Sequence, residues 1–233
     1  YHQQLSDLQM KKGKKLDVLD LCSSWISHLP NNDGSIQYGN VVGVGMNAEE
    51  LEANPTLTSY YTQNLNTSPY LHQFPDESFD VVFCSLSVDY LIQPRIVFAE
   101  IGRVLRSGGG VCLITFSNRY FRKKVVQLWL DADKDDDGDD NGVIRNRMDI
   151  IASYFHYSAI TTTTNEEKTN QEEEEEGEYE WKSMEGLDIQ LPRTKDTIYE
   201  FITRADLWKW FALAIFRGSW RIDPIYAVKA VKK

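Results

Sequence analysis

The sequence predicts an α/β fold, a three-layer αβα sandwich built on a mostly parallel sheet. Short β-branched runs recur up to about residue 120, and helical patterns separate them. Clusters of Gly, Pro, Asp and Ser punctuate the changes of period. At 233 residues and 26.9 kDa, the chain is long enough to bury the core of one ordinary domain.

Leu16-Asp-Val-Leu-Asp-Leu21 reads as a buried strand, and Val41-Val-Gly-Val44 as a second. Phe79-Asp-Val-Val-Phe-Cys-Ser85 is the third, entered through the turn Pro75-Asp-Glu-Ser78. A helix follows. Pro94 sits in its first turn, and Val97, Ile101, Val104 and Leu105 share one face before Ser107-Gly-Gly-Gly110 ends it. Val111-Cys-Leu-Ile-Thr-Phe116 makes the next strand, and Tyr120 to Leu130 resumes a helical pattern. Farther on, a helix is expected from about Val143 to Tyr157 and a final strand at Pro224-Ile-Tyr-Ala-Val228. The chain reads as one domain over 1–233, carrying an acidic loop at 131–142, a disordered acidic insertion at 161–180 and an inserted helical segment at 196–217.

The net charge of −10 is concentrated in two runs. Asp131 to Asp140 holds seven Asp and one Lys, and Glu166 to Glu180 holds nine Glu and one Lys, so the remainder is mildly basic. Runs of that composition repel themselves and bury too little apolar area to offset ordering entropy. No basic stretch interleaved with aromatics marks a nucleic-acid surface, and nucleic acid is not an expected partner. The three cysteines Cys22, Cys84 and Cys112 are widely spaced, which supports neither a disulfide scaffold nor a zinc site. A reducing, intracellular compartment is expected, cytoplasm or an organelle's stroma or matrix. No run reaches the length that spans a bilayer, and the start at Tyr1 has neither Met nor a signal core, as in a fragment or processed form. Asp133-Lys-Asp-Asp-Asp-Gly138 begins like a calcium loop, but Ile144 stands where the bidentate Glu is required, so no metal is expected.

Several stretches, taken in order, carry a resemblance: Leu19-Asp-Leu-Cys-Ser-Ser-Trp25, Gly43-Val-Gly-Met-Asn-Ala-Glu-Glu-Leu51, Phe74-Pro-Asp-Glu-Ser-Phe79, Ser87-Val-Asp-Tyr-Leu91, Arg103-Val-Leu-Arg-Ser-Gly-Gly109, Phe116-Ser-Asn-Arg119, Tyr154-Phe-His-Tyr157 and Asp223-Pro-Ile-Tyr226. They resemble class I S-adenosylmethionine-dependent methyltransferases, and most closely the glycine-poor, type 11 methyltransferase-like proteins. The resemblance implies a Rossmann-like, mostly parallel seven-stranded sheet with an antiparallel last strand. It also implies S-adenosylmethionine as cofactor. The cofactor would lie against Asp20, Cys22, Ser23, Ser24 and Trp25 after the first strand, Gly45, Met46 and Asn47 after the second, Asn64 and Leu65 at the adenine, and Ser85 at the methyl. On the acceptor side, Asp89, Tyr90 and His156 are the candidate catalytic residues, and a small molecule is the expected acceptor.

The sequence departs from that family where its glycines normally lie. Cys22, Ser24 and Ile26 take the alternate positions after Asp20, Gly45 stands where a ribose-binding acid is usual, and Asn64 replaces the acid at the adenine edge. A crevice narrowed on the methionine side and weak cofactor affinity are expected, with Asn47, Glu49 and Glu50 the nearest polar replacements at the ribose. Plainer roles stay open: Asp20 or Asp89 as helix caps, the cysteines as packing groups, His156 as one of an aromatic cluster. A catalytically inactive binding or assembly module is the competing reading. A nicotinamide oxidoreductase is disfavoured because Gly43-Val-Gly45 does not continue into a phosphate-cradling pattern. Leu207 to Phe216 is apolar nearly all round a helix, which suggests a lid, a peripheral membrane contact or a protein contact.

Overall fold

The computed structural model describes residues 2–29, 36–117, 121–132, 140–159, 180–189 and 225–233. The Glu-rich insertion, most of the Asp-rich loop and the segment 196–217 with its apolar stretch Leu207 to Phe216 lie outside them.

Seven strands form one sheet: β1 (Leu16–Leu21), β2 (Tyr38–Gly45), β3 (Ser59–Thr62), β4 (Val81–Ser85), β5 (Val111–Ser117), β6 (Trp181–Ile189) and β7 (Ile225–Lys232). Their order is β3-β2-β1-β4-β5-β7-β6, with β7 antiparallel to both neighbours and the other pairings parallel. This is the Rossmann-like α/β arrangement. The connections run outward from β1 in one direction and from β4 in the other, so the strand order reverses between them, where the carboxyl ends of parallel strands leave a crevice.

Alternation along the strands feeds two cores. Leu16 and Val18 of β1 join Leu5 and Leu8 of helix α1 (His2–Lys12) on one face. Leu19 and Leu21 point to the other face, toward α3 (Pro94–Val104) and α5 (Asp140–Ala159). There Phe98 stands edge-on to Tyr154 and Phe155, with ring centroids 5.4 and 4.7 Å apart, which fixes α5 on α3. Pro94 starts α3 as its spacing predicts, and Val97, Phe98, Ile101 and Val104 are buried.

At the amino ends of the strands, Asp80 is fully buried and binds Lys12 (2.7 Å), Arg106 (2.6 Å) and the Asp17 amide (3.0 Å). Burial works to raise this carboxyl, but those donors outweigh it and hold its pKa at about 2.

Several boundaries differ from the sequence reading. The helical pattern from Tyr120 yields helix α4 only over Gln127–Ala132, because the Val126 amide is drawn to the Asp89 carbonyl. Helix α4 runs to Ala132 and helix α5 starts at Asp140, so both ends of the segment 131–142 are helical. The exposed edge strand β3 and the short helix α2 (Ala48–Glu52) carried too few buried apolar positions to register as periodic elements.

Candidate active site at the strand-order reversal

The loop after β1 and the turn after β4 meet at the reversal, and each is built around a buried carboxyl group. Asp20, the last residue but one of β1, accepts hydrogen bonds from Ser23 Oγ (2.7 Å) and Ser27 Oγ (2.6 Å). Burial drives its pKa up to about 6, against the two hydroxyls that pull it down. Asn54 adds a second clasp by donating to the Ser24 carbonyl (2.8 Å) and Ser27 Oγ (3.1 Å).

Cys22 takes φ 56°, the left-handed conformation that favours glycine. The chain then drops onto β2: the Ser23 amide bonds the Val44 carbonyl at 2.9 Å, and the Ser23 carbonyl lies against Gly45. A Cβ at position 45 would approach that oxygen well inside the 3.0 Å that real Cβ atoms keep. Backbone therefore fills the space an acidic side chain would need. The crowding falls at the end of β2, and Trp25 is 39% exposed.

A carboxylate reaches this place from another element. Glu50, in the first turn of α2, accepts from Ser24 Oγ and from Asn47 Nδ2, while Asn47 caps the helix through the Glu49 and Glu50 amides. Met46 is exposed beside them. On the far side of β2, Asn64 closes a turn by accepting from the Asn66 amide (3.0 Å), and Leu65 is buried in the core. Ser85 pairs its hydroxyl with Thr115 at 3.0 Å.

The turn after β4 is a 3-10 helix, Val88–Tyr90. Asn66 anchors it by donating to the Tyr90 carbonyl (3.0 Å) and accepting from the Ile92 amide (2.9 Å). Asp89 is 6% exposed, and burial raises its pKa to about 6 although its own amide, the Tyr90 hydroxyl and the charge of Arg147 favour the ionised form. Tyr90 Oη also accepts from the Phe121 amide at 3.1 Å. Behind them Arg147 is buried on α5, donating to the Ser117 carbonyl (2.7 Å) beneath the Trp129 ring. Trp129 Nε1 in turn donates to the Tyr154 hydroxyl (3.3 Å). A cavity of about 580 Å³ opens between α3 and α5, lined by Ile92, Gln93, Arg95, Ser153, Tyr154 and Tyr157.

Asp20, Cys22, Ser23 and Ser24 thus gather at the end of β2 with Gly45 and Asn47, and Asp89 gathers with Tyr90. His156 is placed elsewhere. It is exposed with its ring against Tyr157, two residues along α5 from buried Tyr154 and so on the opposite side of the helix. Ser27, Asn54 and Arg147 were not singled out from the sequence. Arg147 had a readable signal, since Arg147, Ile151, Tyr154 and Ser158 follow the spacing of a buried stripe and all are buried. Ser27 and Asn54 had none, because only the folded loop brings them to Asp20.

Among the described residues, no helix is long and apolar enough to cross a membrane, and no group of His, Cys, Asp and Glu is placed to hold a metal ion.

Among solved structures, a methyltransferase from Bacillus halodurans is similar at 12% identity and a TM-score of 0.43, with 98% of this chain and 96% of that chain covered. An S-adenosylmethionine-dependent methyltransferase from Archaeoglobus fulgidus is similar at 11% identity and 0.45, with 100% and 95% covered. Haemonchus contortus phosphoethanolamine N-methyltransferase 2, solved with S-adenosyl-L-methionine, gives 14% and 0.47, with 99% of this chain and 52% of that one covered. No curated protein matches the sequence. Residues 29–113, from the loop behind β1 to the middle of β5, match the family model described as a methyltransferase domain.

Proposed function

We propose that the chain is an S-adenosylmethionine-dependent methyltransferase whose acceptor enters beside Asp89, on the side where the Tyr154 cavity opens. One observation carries the reading: a buried carboxyl group with its pKa raised to about 6 stands on the turn after β4, at the strand-order reversal. The residues present fit the cofactor with one replacement. The Cys22 to Trp25 loop would hold its methionine part, Asn64 would meet the adenine, and Glu50 would supply the carboxylate for the ribose hydroxyls that position 45 cannot carry.

When bound, the cofactor supplies an electrophilic methyl group on a sulfonium. The chain's own contribution is alignment and proton removal. Asp89 is ionised near neutral pH and accepts the proton of the acceptor nucleophile. Tyr90 donates to Asp89 and keeps it oriented. Burial of Asp89 makes it a stronger base than an exposed carboxylate would be.

Calorimetric titration with S-adenosylhomocysteine, followed by transfer of labelled methyl from S-adenosylmethionine to a panel of small nucleophiles, tests the proposal. Asp89→Asn should keep binding and lose transfer. A second reading, an inactive binding or assembly module, is favoured by self-satisfied polar groups at the site: Asp20, Ser24 and Ser85 already have partners. It requires that neither the cofactor nor its product bind saturably.

A further inference from the structure

Two of the three cysteines are brought together at the crevice by the conformation of one of them. Leu21 of β1 pairs with Cys84 of β4, and both belong to the same core cluster. A strand continued through Cys22 would turn its side chain to the opposite face. Instead φ 56° returns the Cys22 thiol to the face of Leu21, where it packs on the cluster that contains Cys84. One strand spacing across and one residue along place the two Cα atoms about 5.8 Å apart, inside the range of about 4.4–6.8 Å that disulfides require. Cys112 pairs with Val82, so it lies two residues along from Cys84. That is about 8 Å by the same geometry, too far to bridge. Cys22 alone of the three thiols is partly exposed.

We propose that Cys22 and Cys84 form a redox-active pair, and that their disulfide locks the loop after β1 in its seated position on Gly45. The oxidant is a low-molecular-weight disulfide such as oxidised glutathione. The Cys22 thiolate attacks one of its sulfurs, the external S–S bond breaks, and one glutathione leaves as a thiolate. Cys84 then gives up its proton, which a departing thiolate takes, and attacks the Cys22 sulfur of the mixed disulfide to release the second glutathione. Two protein thiols are oxidised and one glutathione disulfide is reduced to two thiols. Contact with Cys22 and burial both hold Cys84 protonated, so the second step depends on proximity.

The cross-link is tested on the full folded chain without denaturant, by exposure to oxidised glutathione, acid quenching and intact mass. Loss of two hydrogens, reversal by dithiothreitol and one peptide pair joining Cys22 to Cys84 are expected. Cys112→Ser should behave as wild type, and Cys22→Ser and Cys22→Gly should lose no hydrogens. A glutathione adduct that persists on Cys22, or no reaction until the chain is unfolded, overturns the pair. The effect on the site rests on the methyltransferase reading and is measured separately. Oxidised protein should bind S-adenosylhomocysteine at least tenfold more weakly than reduced protein, with recovery on reduction. Equal affinity of the two forms overturns the lock. Absence of binding by both forms sinks the functional reading and the lock together, and leaves the cross-link standing.

Discussion

Replacing Gly45 tests whether the loop after β1 has taken the place of an acidic side chain. In Gly45→Ala the new Cβ meets the Ser23 carbonyl oxygen and also touches Leu51 Cδ2 at 3.1 Å, and the oxygen belongs to backbone that no rotamer change can move. Ser23 would have to retreat by about 1 Å to regain van der Waals distance. That retreat breaks the Ser23 amide bond to Val44 and strains the Ser23 hydroxyl bond to Asp20 and the Asn54 bond to Ser24. Each such bond contributes about 1 kcal/mol net, and a buried donor left unpaired costs about 1–3 kcal/mol, so a total loss of about 2–4 kcal/mol is expected.

Urea denaturation at neutral pH measures it. Gly108→Ala is the control, because Gly108 has φ 75° but open space around it and should cost only about 1 kcal/mol for its backbone angle. Gly45→Asp sharpens the test, since it forces the loop away while restoring a carboxylate at the end of β2. It should lose stability like the alanine variant yet bind S-adenosylhomocysteine more tightly than wild type. A stability loss below about 1 kcal/mol for Gly45→Ala, no larger than the control, would show that the loop is not seated where we place it.

Other outcomes follow from single contacts. Asp80→Asn leaves Lys12, Lys14 and Arg106 around a neutral group and should destabilise by about 3 kcal/mol or more, read as a fall in the urea midpoint. Phe98→Ala removes the ring that Tyr154 and Phe155 pack against and should cost about 3–5 kcal/mol by the same measurement. Asp20 has its folded pKa near 6 and its unfolded value near 3.8, so the folded state holds more protons between those values and stability falls as pH rises through that window. The loss is up to about 3 kcal/mol, and Asp20→Asn should flatten it when urea midpoints are compared at acid and neutral pH. Glu50→Gln should weaken S-adenosylhomocysteine binding about tenfold in calorimetry, without loss of fold.

The central strands and α3 were legible because their burial is periodic: Leu19 and Leu21 against Leu16 and Val18, or Val97 against Ile101 and Val104. β3 was not, since all four of its residues are exposed and its place is set by backbone pairing to β2. Tyr120 to Leu130 has helical spacing, but a carbonyl outside it, that of Asp89, captures the Val126 amide. In the site, the resemblance to class I methyltransferases pointed to Asp20 and Asp89 through the stretches Leu19–Trp25 and Ser87–Leu91. It gave no sign of the loop's seat on Gly45, because the missing glycines and the missing acid look like two separate losses when read along the chain.

Packed together, they are one change. Cys22 stands at positive φ in the segment after β1, and the turn this makes carries Ser23 down to β2. Once the Ser23 carbonyl lies there, any side chain at 45 collides with it, so glycine is the residue that fits. If the chain binds S-adenosylmethionine as proposed, the carboxylate for the ribose has to come from an element the loop does not cover. Glu50 meets that condition from the first turn of α2, where the helix dipole favours a negative charge and Ser24 of the same loop donates to it. Cys22, Gly45 and Glu50 are therefore coupled. Combining Cys22→Gly, Gly45→Asp and Glu50→Gln should cost less stability than the separate effects predict, because in the triple variant the loop has a glycine with which to rise and the carboxylate introduced at position 45 has room to stand. A double-mutant cycle between Cys22→Gly and Gly45→Asp measures the first of these couplings, and strict additivity would break the argument.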